Sequence, residues 1–213
     1  MPAVSKDSDK KPITSVRDVS GVILAGGKSS RYGKNKGLVR LNGIPLIERV
    51  IKAMQPLFRD LILITNTPDE YAHLGLTMHR DIIKGLGPLG GIYTALCSIP
   101  GDAGFFVACD MPALNRGLIN HMIEVSADFD VVVPRISGRM ETLHAMYGKG
   151  CLLAVKRLID AGGRQVIRFF PEVSVRHIEE EEVLRFDPEL ISFSNINRPQ
   201  ELRKYQKLLN EVE

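Results

Sequence analysis

Four short runs of apolar residues punctuate the first two thirds of the chain: Gly21–Ala25, Leu61–Thr65, Gly104–Cys109 and Val131–Val133. They do not alternate with polar residues. Each therefore predicts a strand covered on both faces, the condition of a parallel sheet rather than a half-solvated antiparallel one. The segments between them carry apolar residues at helical spacing. Leu46, Ile47, Val50, Ile51, Met54 and Leu57 form one stripe after Pro45. Ile92, Ala95, Leu96 and Ile99 form a second, and Leu118, Ile119, Met122 and Ile123 a third. Strand alternating with helix predicts an α/β fold: a doubly wound, mostly parallel sheet with helices on both faces. At 213 residues the chain suits one domain.

The second half is less regular. A helical stripe (Leu152, Val155, Leu158, Ile159) predicts a helix within 149–161, and Pro199–Leu209 predicts another. Val173–Ile178 and Val183–Phe186 predict short strands, with Glu179–Glu182 between them as a solvated turn. Residues 1–18 mix Lys, Asp, Ser and Pro without an apolar core, which predicts a solvated polar tail before a domain at 19–213.

Composition excludes several classes of function. A net charge of +3 is too small for a dedicated nucleic-acid surface. No apolar run approaches the roughly 20 residues of a spanning helix, so no membrane partner is expected. Cys97, Cys109 and Cys151 are an odd number in apolar company, without a Cys-x-x-Cys pair. They read as reduced and buried in a cytoplasmic protein, not as zinc ligands or a disulfide framework.

Ligands of open parallel sheets bind outside the carboxyl ends of the strands. After the first run comes Gly26-Gly27-Lys28-Ser29-Ser30-Arg31-Tyr32-Gly33-Lys34-Asn35-Lys36. Asn66 follows the second run, Asp110-Met111-Pro112 the third and Pro134-Arg135 the fourth. Glycines let backbone N–H groups approach an anion, Arg31 offers a planar fork to phosphate oxygens, and Lys36 a point charge. A Gly-rich surface turn with solvated cations is the alternative, but four cations within nine residues directly after a buried strand weigh against it. The loop is not a P-loop, because five residues separate Gly27 from Gly33 and Asn35 follows Lys34. Asp110, ending the most apolar strand, suits a magnesium ligand beside a polyphosphate, or else a turn residue before x-Pro. Asn66 and Asp81 could equally cap backbone groups.

Gly85-Leu86-Gly87-Pro88-Leu89-Gly90 matches a dinucleotide-binding Gly-x-Gly-x-x-Gly. The residues before it, His79–Lys84, are too polar for the buried strand which that motif requires. An NAD-dependent oxidoreductase is therefore a minor alternative.

Together these residues resemble the molybdenum cofactor guanylyltransferases, a family of nucleotidyltransferases. Leu24-Ala25-Gly26-Gly27-x-x-x-Arg31-x-Gly33-x-x-Lys36 is similar to the signature loop, and Gly87-Pro88-Leu89-Gly90-Gly91 to a second nucleotide-binding segment. Cys109-Asp110-Met111-Pro112 resembles the metal-binding strand end, and Asn195-Ile196-Asn197-x-Pro199-x-Glu201-Leu202 the C-terminal signature. The resemblance implies a Rossmann-like nucleotidyltransferase fold, GTP and Mg²⁺. It also implies an acceptor, molybdopterin carrying molybdenum, and transient contacts with proteins that supply or accept the cofactor. It assigns Leu24, Ala25 and Gly26 to the guanosine part, and Gly27, Lys36, Asn66, Asp81, Gly87, Pro88 and Asp110 to GTP. Asp110 would bind Mg²⁺; Asn195, Asn197 and Arg164 would face the pterin phosphate. Related cytidylyltransferases carry alanine at the position of Gly26 and aspartates at those of Asn195 and Asn197, so both features point to GTP. Arg198 and Gln200 depart from the usual Asn-Thr-Pro-Glu pattern.

The chemistry implied is in-line attack of the acceptor phosphate on the α-phosphorus of GTP, with Arg31, Lys36 and Asp110 as the catalytic set. No serine lies in a nucleophile-elbow motif, so catalysis rests on positioning and charge stabilisation. His144 resembles part of an acceptor-facing segment but reads first as a structural histidine. The alternatives are a cytidylyltransferase, a guanylyltransferase for another phosphorylated acceptor, and a non-catalytic GTP-binding adaptor.

Overall fold

The computed structural model describes residues 17–26 and 35–196. In chain order the elements are β1 (Val19–Leu24), β2 (Arg40–Leu41), β3 (Ile44–Pro45), α1 (Leu46–Met54), β4 (Leu61–Ile64), β5 (Thr77–His79) and α2 (Pro88–Ser98). They continue with β6 (Ala103–Ala108), α3 (Arg116–Glu124), β7 (Val131–Ile136), β8 (Arg139–Met140), β9 (His144–Gly148), α4 (Leu152–Asp160), β10 (Val175–Glu179) and α5 (Glu180–Val183).

The main sheet runs β10-β7-β9-β6-β1-β4-β5, with β8 added on β7. β1 is parallel to β4 and β6, β4 to β5, and β7 to β10; β9 is inserted antiparallel between β6 and β7. The expected doubly wound α/β architecture is present, with one reversed strand inside it.

The unbroken apolar runs have a direct cause in this layering. Ile23, Leu63, Phe105 and Val107 point to one face, where they meet Ile47, Val50 and Met54 of α1 and Leu118, Ile119 and Met122 of α3. Their neighbours Val22, Ile62, Ile64 and Phe106 point to the other, against Leu89, Ile92 and Leu96 of α2 and Val155 of α4. Neither face meets water, so period-2 alternation vanishes. Each such side chain contributes about 1.5–3 kcal/mol on burial.

Several expectations are corrected. Val183–Phe186 is not a strand: α5 ends at Val183 and a turn follows. Val183 is buried and Phe186 packs on the core while Leu184 is exposed, a spacing of three that belongs to a helical turn. Glu179–Glu182 is not merely solvated. Glu179 forms a fork with Arg135, Glu180 accepts the Ser137 N–H, and Glu182 pairs with both His121 and Arg176. Burial pushes the Glu182 carboxyl up, but the His121 and Arg176 contacts outweigh it and hold it below the ordinary value. Cys97 is exposed, unlike buried Cys109 and Cys151, and all three thiols are free. Arg17, placed in the tail by sequence, donates to the carbonyls of Ser126 and Phe129, and the Asp18 carbonyl accepts from Asp102.

Two features pass unnoticed in the sequence. Asn42 and Gly43, both at positive φ, join β2 and β3 in a tight hairpin. β9, buried throughout, is the reversed strand. The helix expected at 199–209 lies outside the described residues.

Candidate active site

Parallel pairing brings the carboxyl ends of the strands to one rim. Leu24 is level with Ile64 on one side and Ala108 on the other, and Ile64 is level with His79. Ladder bonds continue one residue further: Ala25 N–H to the Ile64 carbonyl (2.9 Å), Cys109 N–H to that of Leu24 (3.1 Å) and Thr65 N–H to that of His79 (2.9 Å). Gly26, Asn66, Asp81 and Asp110 thus follow four adjoining strands onto the same edge.

Lys36 and Asp110 form the charged centre of this rim, with Lys36 Nζ 3.5 Å from Asp110 Oδ2. The Asp110 side chain is only 13% exposed. Lys36 opens a 3-10 turn, Lys36–Leu38, capped by Asn35, whose Oδ1 accepts the Gly37 N–H at 3.2 Å. The buried Tyr71 hydroxyl donates to the same Oδ1, and Asn35 Nδ2 donates to Glu70. A Cβ on Gly37 would lie 2.9 Å from the Tyr71 hydroxyl and 3.3 Å from Cys109 Sγ. Glycine is therefore needed for the turn to press against the residue before Asp110. Sequence reasoning missed Asn35, Gly37 and Tyr71 as positioning residues; the Asn-Lys-Gly order was their one local signal.

Burial, followed by the charge of Asp110, pushes the Cys109 thiol up to about 12. It is therefore no thiolate nucleophile at neutral pH. Asn66 and Asp81 hold each other. Asn66 Nδ2 donates to Asp81 Oδ2 at 2.7 Å, and Asn66 Oδ1 accepts the Asp81 N–H at 3.2 Å.

The two glycine segments differ in what requires them. A Cβ at Gly26 would meet no heavy atom within 4 Å, so packing among the described residues does not demand glycine there. Gly87, the N-cap of α2, has φ +59°, and Pro88 occupies the first helical turn. A Cβ at Gly91 would come 3.1 Å from Leu24, so its absence seats the α2 N-terminus on the end of β1. That terminus carries the positive end of the helix dipole, and its Gly90 and Gly91 N–H groups turn back onto the Gly87 carbonyl.

The dinucleotide motif fails on context. The strand preceding Gly85 is β5, a three-residue edge strand, and residues 80–87 form an irregular loop. A groove of about 500 Å³ lined by Phe58, Leu61, Thr77 and Pro100 lies at the opposite, amino-terminal edge. It belongs to a different part of the molecule.

Among the acceptor-side residues, Asn195 is exposed and adjoins Ile196, whose N–H donates to the Asp110 carbonyl at 3.0 Å. Arg164 is exposed in the loop between α4 and a 3-10 turn at 166–172, and no hydrogen bond or ion pair among the described residues joins it to the rim. His144, at the start of β9, is buried against Phe105 and Phe193, and neither ring nitrogen has a hydrogen-bond partner among the described residues. Gly27, Arg31 and Asn197 lie outside the described residues, as do Arg198 and Gln200.

A carboxylate at 13% exposure, faced by a cation, suits a divalent metal ion that takes one or two protein carboxylates and completes its shell with phosphates and water. Among the described residues no group of three or more His, Cys, Asp or Glu could form an all-protein cage, and no helix is long and apolar enough to cross a membrane.

A glycine-lined rim on a doubly wound sheet, with a carboxylate ending β6 and a lysine against it, defines an enzyme of the nucleotidyltransferase class. Comparison with known proteins agrees. The chain belongs to the MobA-like NTP transferase family, whose model matches residues 21–179. A "Probable molybdenum cofactor guanylyltransferase" of Pelotomaculum thermopropionicum is 37% identical over 87% of this chain and 90% of its own length. The "Molybdenum cofactor guanylyltransferase" of Desulfosudis oleivorans is 36% identical over 87% of this chain and 93% of its own. The crystal structure of molybdopterin-guanine dinucleotide biosynthesis protein A from Archaeoglobus fulgidus superposes with a TM-score of 0.79 at 27% identity. It covers 90% of this chain and 99% of that one.

Proposed function

We propose that this enzyme transfers GMP from GTP to the phosphate of molybdopterin carrying molybdenum, forming the guanine dinucleotide cofactor and releasing pyrophosphate. The observation that carries the reading is the Lys36–Asp110 pair, 3.5 Å apart at the carboxyl rim. A cation for phosphate oxygens and a carboxylate for the metal that bridges them are what phosphoryl chemistry needs side by side. The guanylyltransferase relatives supply the nucleotide and acceptor.

In this reading a phosphate oxygen of the acceptor attacks the α-phosphorus of GTP in line. The bond from the α-phosphorus to the bridging oxygen breaks, and pyrophosphate leaves with the electron pair. Leu24, Ala25 and Gly26 hold the guanosine part, and Gly27 contacts GTP. Asn66 and Asp81, fixed to each other, present one polar edge to GTP, and Gly87 and Pro88 present the α2 N-terminus. Asp110 would hold Mg²⁺, which when bound neutralises phosphate charge and polarises the α-phosphorus. Lys36, with Arg31, offsets charge developing on the leaving pyrophosphate. Asn195, Asn197 and Arg164 face the acceptor. No heavy atom of the described residues lies within 4 Å of where a Gly26 Cβ would stand, and the missing methyl favours a purine over the smaller base of a cytidylyltransferase. Cytoplasmic residence, with transient contacts to cofactor-supplying and cofactor-accepting proteins, completes the proposal.

The nucleotide part is tested by thermal shift with Mg²⁺ plus GTP, CTP, ATP or NAD. A ligand at a hundred times its Kd adds about 2.7 kcal/mol, roughly 5–10 °C for a chain of this size. GTP alone should raise Tm. A shift with CTP or NAD instead would overturn the base assignment or the reaction class.

A further inference from the structure

The segment assigned to the acceptor is reached through a strap, 187–196, that crosses from the turn after α5 to the Asp110 loop. Asp187 begins it. The residue is 4% exposed, and the two oxygens of its carboxylate are divided between two backbone donors: Oδ1 accepts the Ile191 N–H at 3.1 Å and Oδ2 the Ser192 N–H at 2.8 Å. The Asp187 carbonyl accepts the Leu190 N–H, and Leu190 sits at φ +51°, a left-handed conformation that a branched apolar residue adopts only when held.

The next link is Ser192, also buried, whose Oγ accepts the Asn115 N–H at 2.9 Å. Asn115 caps α3 through the Leu118 N–H and donates its Nδ2 to the Phe186 carbonyl at 2.6 Å, beside Asp187. Phe193 packs its ring on His144, with centroids 4.9 Å apart. The strap then ends with Ile196, buried against Leu41 and Leu46, donating to the Asp110 carbonyl. A circuit thus runs from Asp187 through Ser192 and Asn115 to α3, and along the strap to the backbone carbonyl of Asp110.

We infer that Asp187 is a positioning residue for the acceptor: its buried carboxylate shapes the turn that presents Asn195 beside Asp110. The inference rests on the function proposed above. A carboxylate is needed because both oxygens must accept; an amide puts an NH₂ donor against one of the two N–H groups. Among the described residues the circuit meets the nucleotide side only through the backbone carbonyl of Asp110 and makes no hydrogen bond to Gly26, Asn66 or Asp81, so its loss should weigh on the acceptor far more than on GTP.

The test is Asp187→Asn, with Ser192→Ala as a second variant should the first fail to fold. Amide hydrogen exchange is measured at Ile191, Ser192 and Ile196, and steady-state kinetics with GTP, Mg²⁺ and molybdenum-loaded molybdopterin. Loss of one charge-assisted bond should accelerate exchange at these amides about tenfold and raise the acceptor KM by a similar factor. The KM for GTP and the GTP-induced thermal shift should stay within twofold. Unchanged exchange in both variants overturns the inference. So does faster exchange with an unaltered acceptor KM, or an equal rise in both KM values. A wild-type chain that transfers no GMP overturns the proposed function instead, and the exchange data then decide separately whether Asp187 holds the strap.

Discussion

Lys36 Nζ lies 3.5 Å from Asp110 Oδ2, joining the 3-10 turn after the glycine loop to the carboxyl end of β6. The side chains are only 29% and 13% exposed, so desolvation offsets much of the attraction and the pair's own net contribution to stability is modest, about 1 kcal/mol. Replacing Lys36 by Met should leave the melting temperature within a few degrees of wild type. It should lower kcat/KM for GTP about a hundredfold, because phosphate charge loses its fixed partner. Steady-state kinetics beside a thermal melt decide this. A large fall in Tm with modest kinetic change would make Lys36 structural.

Glycines at the rim should separate into two kinds. Gly26→Ala introduces a methyl that meets no heavy atom of the described residues within 4 Å, and should leave Tm unchanged while weakening GTP binding about tenfold. Gly37→Ala pushes a methyl to 2.9 Å from the Tyr71 hydroxyl and should destabilise by about 1–3 kcal/mol. Chemical denaturation and GTP titration of both variants check the contrast. Equal destabilisation would mean that Gly26 serves packing.

That contrast marks what was legible in the sequence. The four apolar runs announce the central strands because burial on both faces erases alternation, and they place Gly26, Asn66 and Asp110 on one rim without further information. β9 was not legible, since it inserts between β6 and β7 and its orientation depends on pairing with both, which no residue pattern within β9 itself records. Val183–Phe186 misled because a one-turn helix and a short strand carry the same few apolar residues. Lys36 was legible as a charge, but the shell that holds it was not. Asn35 and Tyr71 meet across 36 positions, a contact that only the folded chain creates.

His144 should make the protein acid-sensitive. Burial pushes its imidazole down to about 3 from an ordinary value of 6.5. Between these values the unfolded chain binds more protons, so stability is full above about pH 6.5 and falls as pH drops toward 3, by up to about 1.4 kcal/mol per unit. His144→Phe removes that proton linkage and two ring nitrogens that have no hydrogen-bond partner among the described residues. It should be more stable than wild type by about 1–3 kcal/mol at pH 5, with a smaller difference at pH 8. Denaturant midpoints across pH test this; parallel pH profiles for the two proteins would refute it.

The thiols should react in order of burial. Cys97 is exposed, whereas burial first, and nearby carboxylates second, push Cys109 and Cys151 up to about 12. Native protein at pH 8 should titrate one thiol with a disulfide reagent, and all three after denaturation. Rapid reaction of Cys109 with retained fold would contradict the packing of Gly37 against it.

The central claim is guanylyl transfer directed by Asp110, and product analysis tests it most directly. Wild type and Asp110→Ala are incubated with Mg²⁺, GTP and molybdenum-loaded molybdopterin, and dinucleotide and pyrophosphate are quantified together. Wild type should yield the two products in equal amounts. The variant should keep its fold and lose turnover by about two to three orders of magnitude. Equal turnover in the two proteins, or wild type forming the cytidine dinucleotide from CTP in preference, would contradict the account.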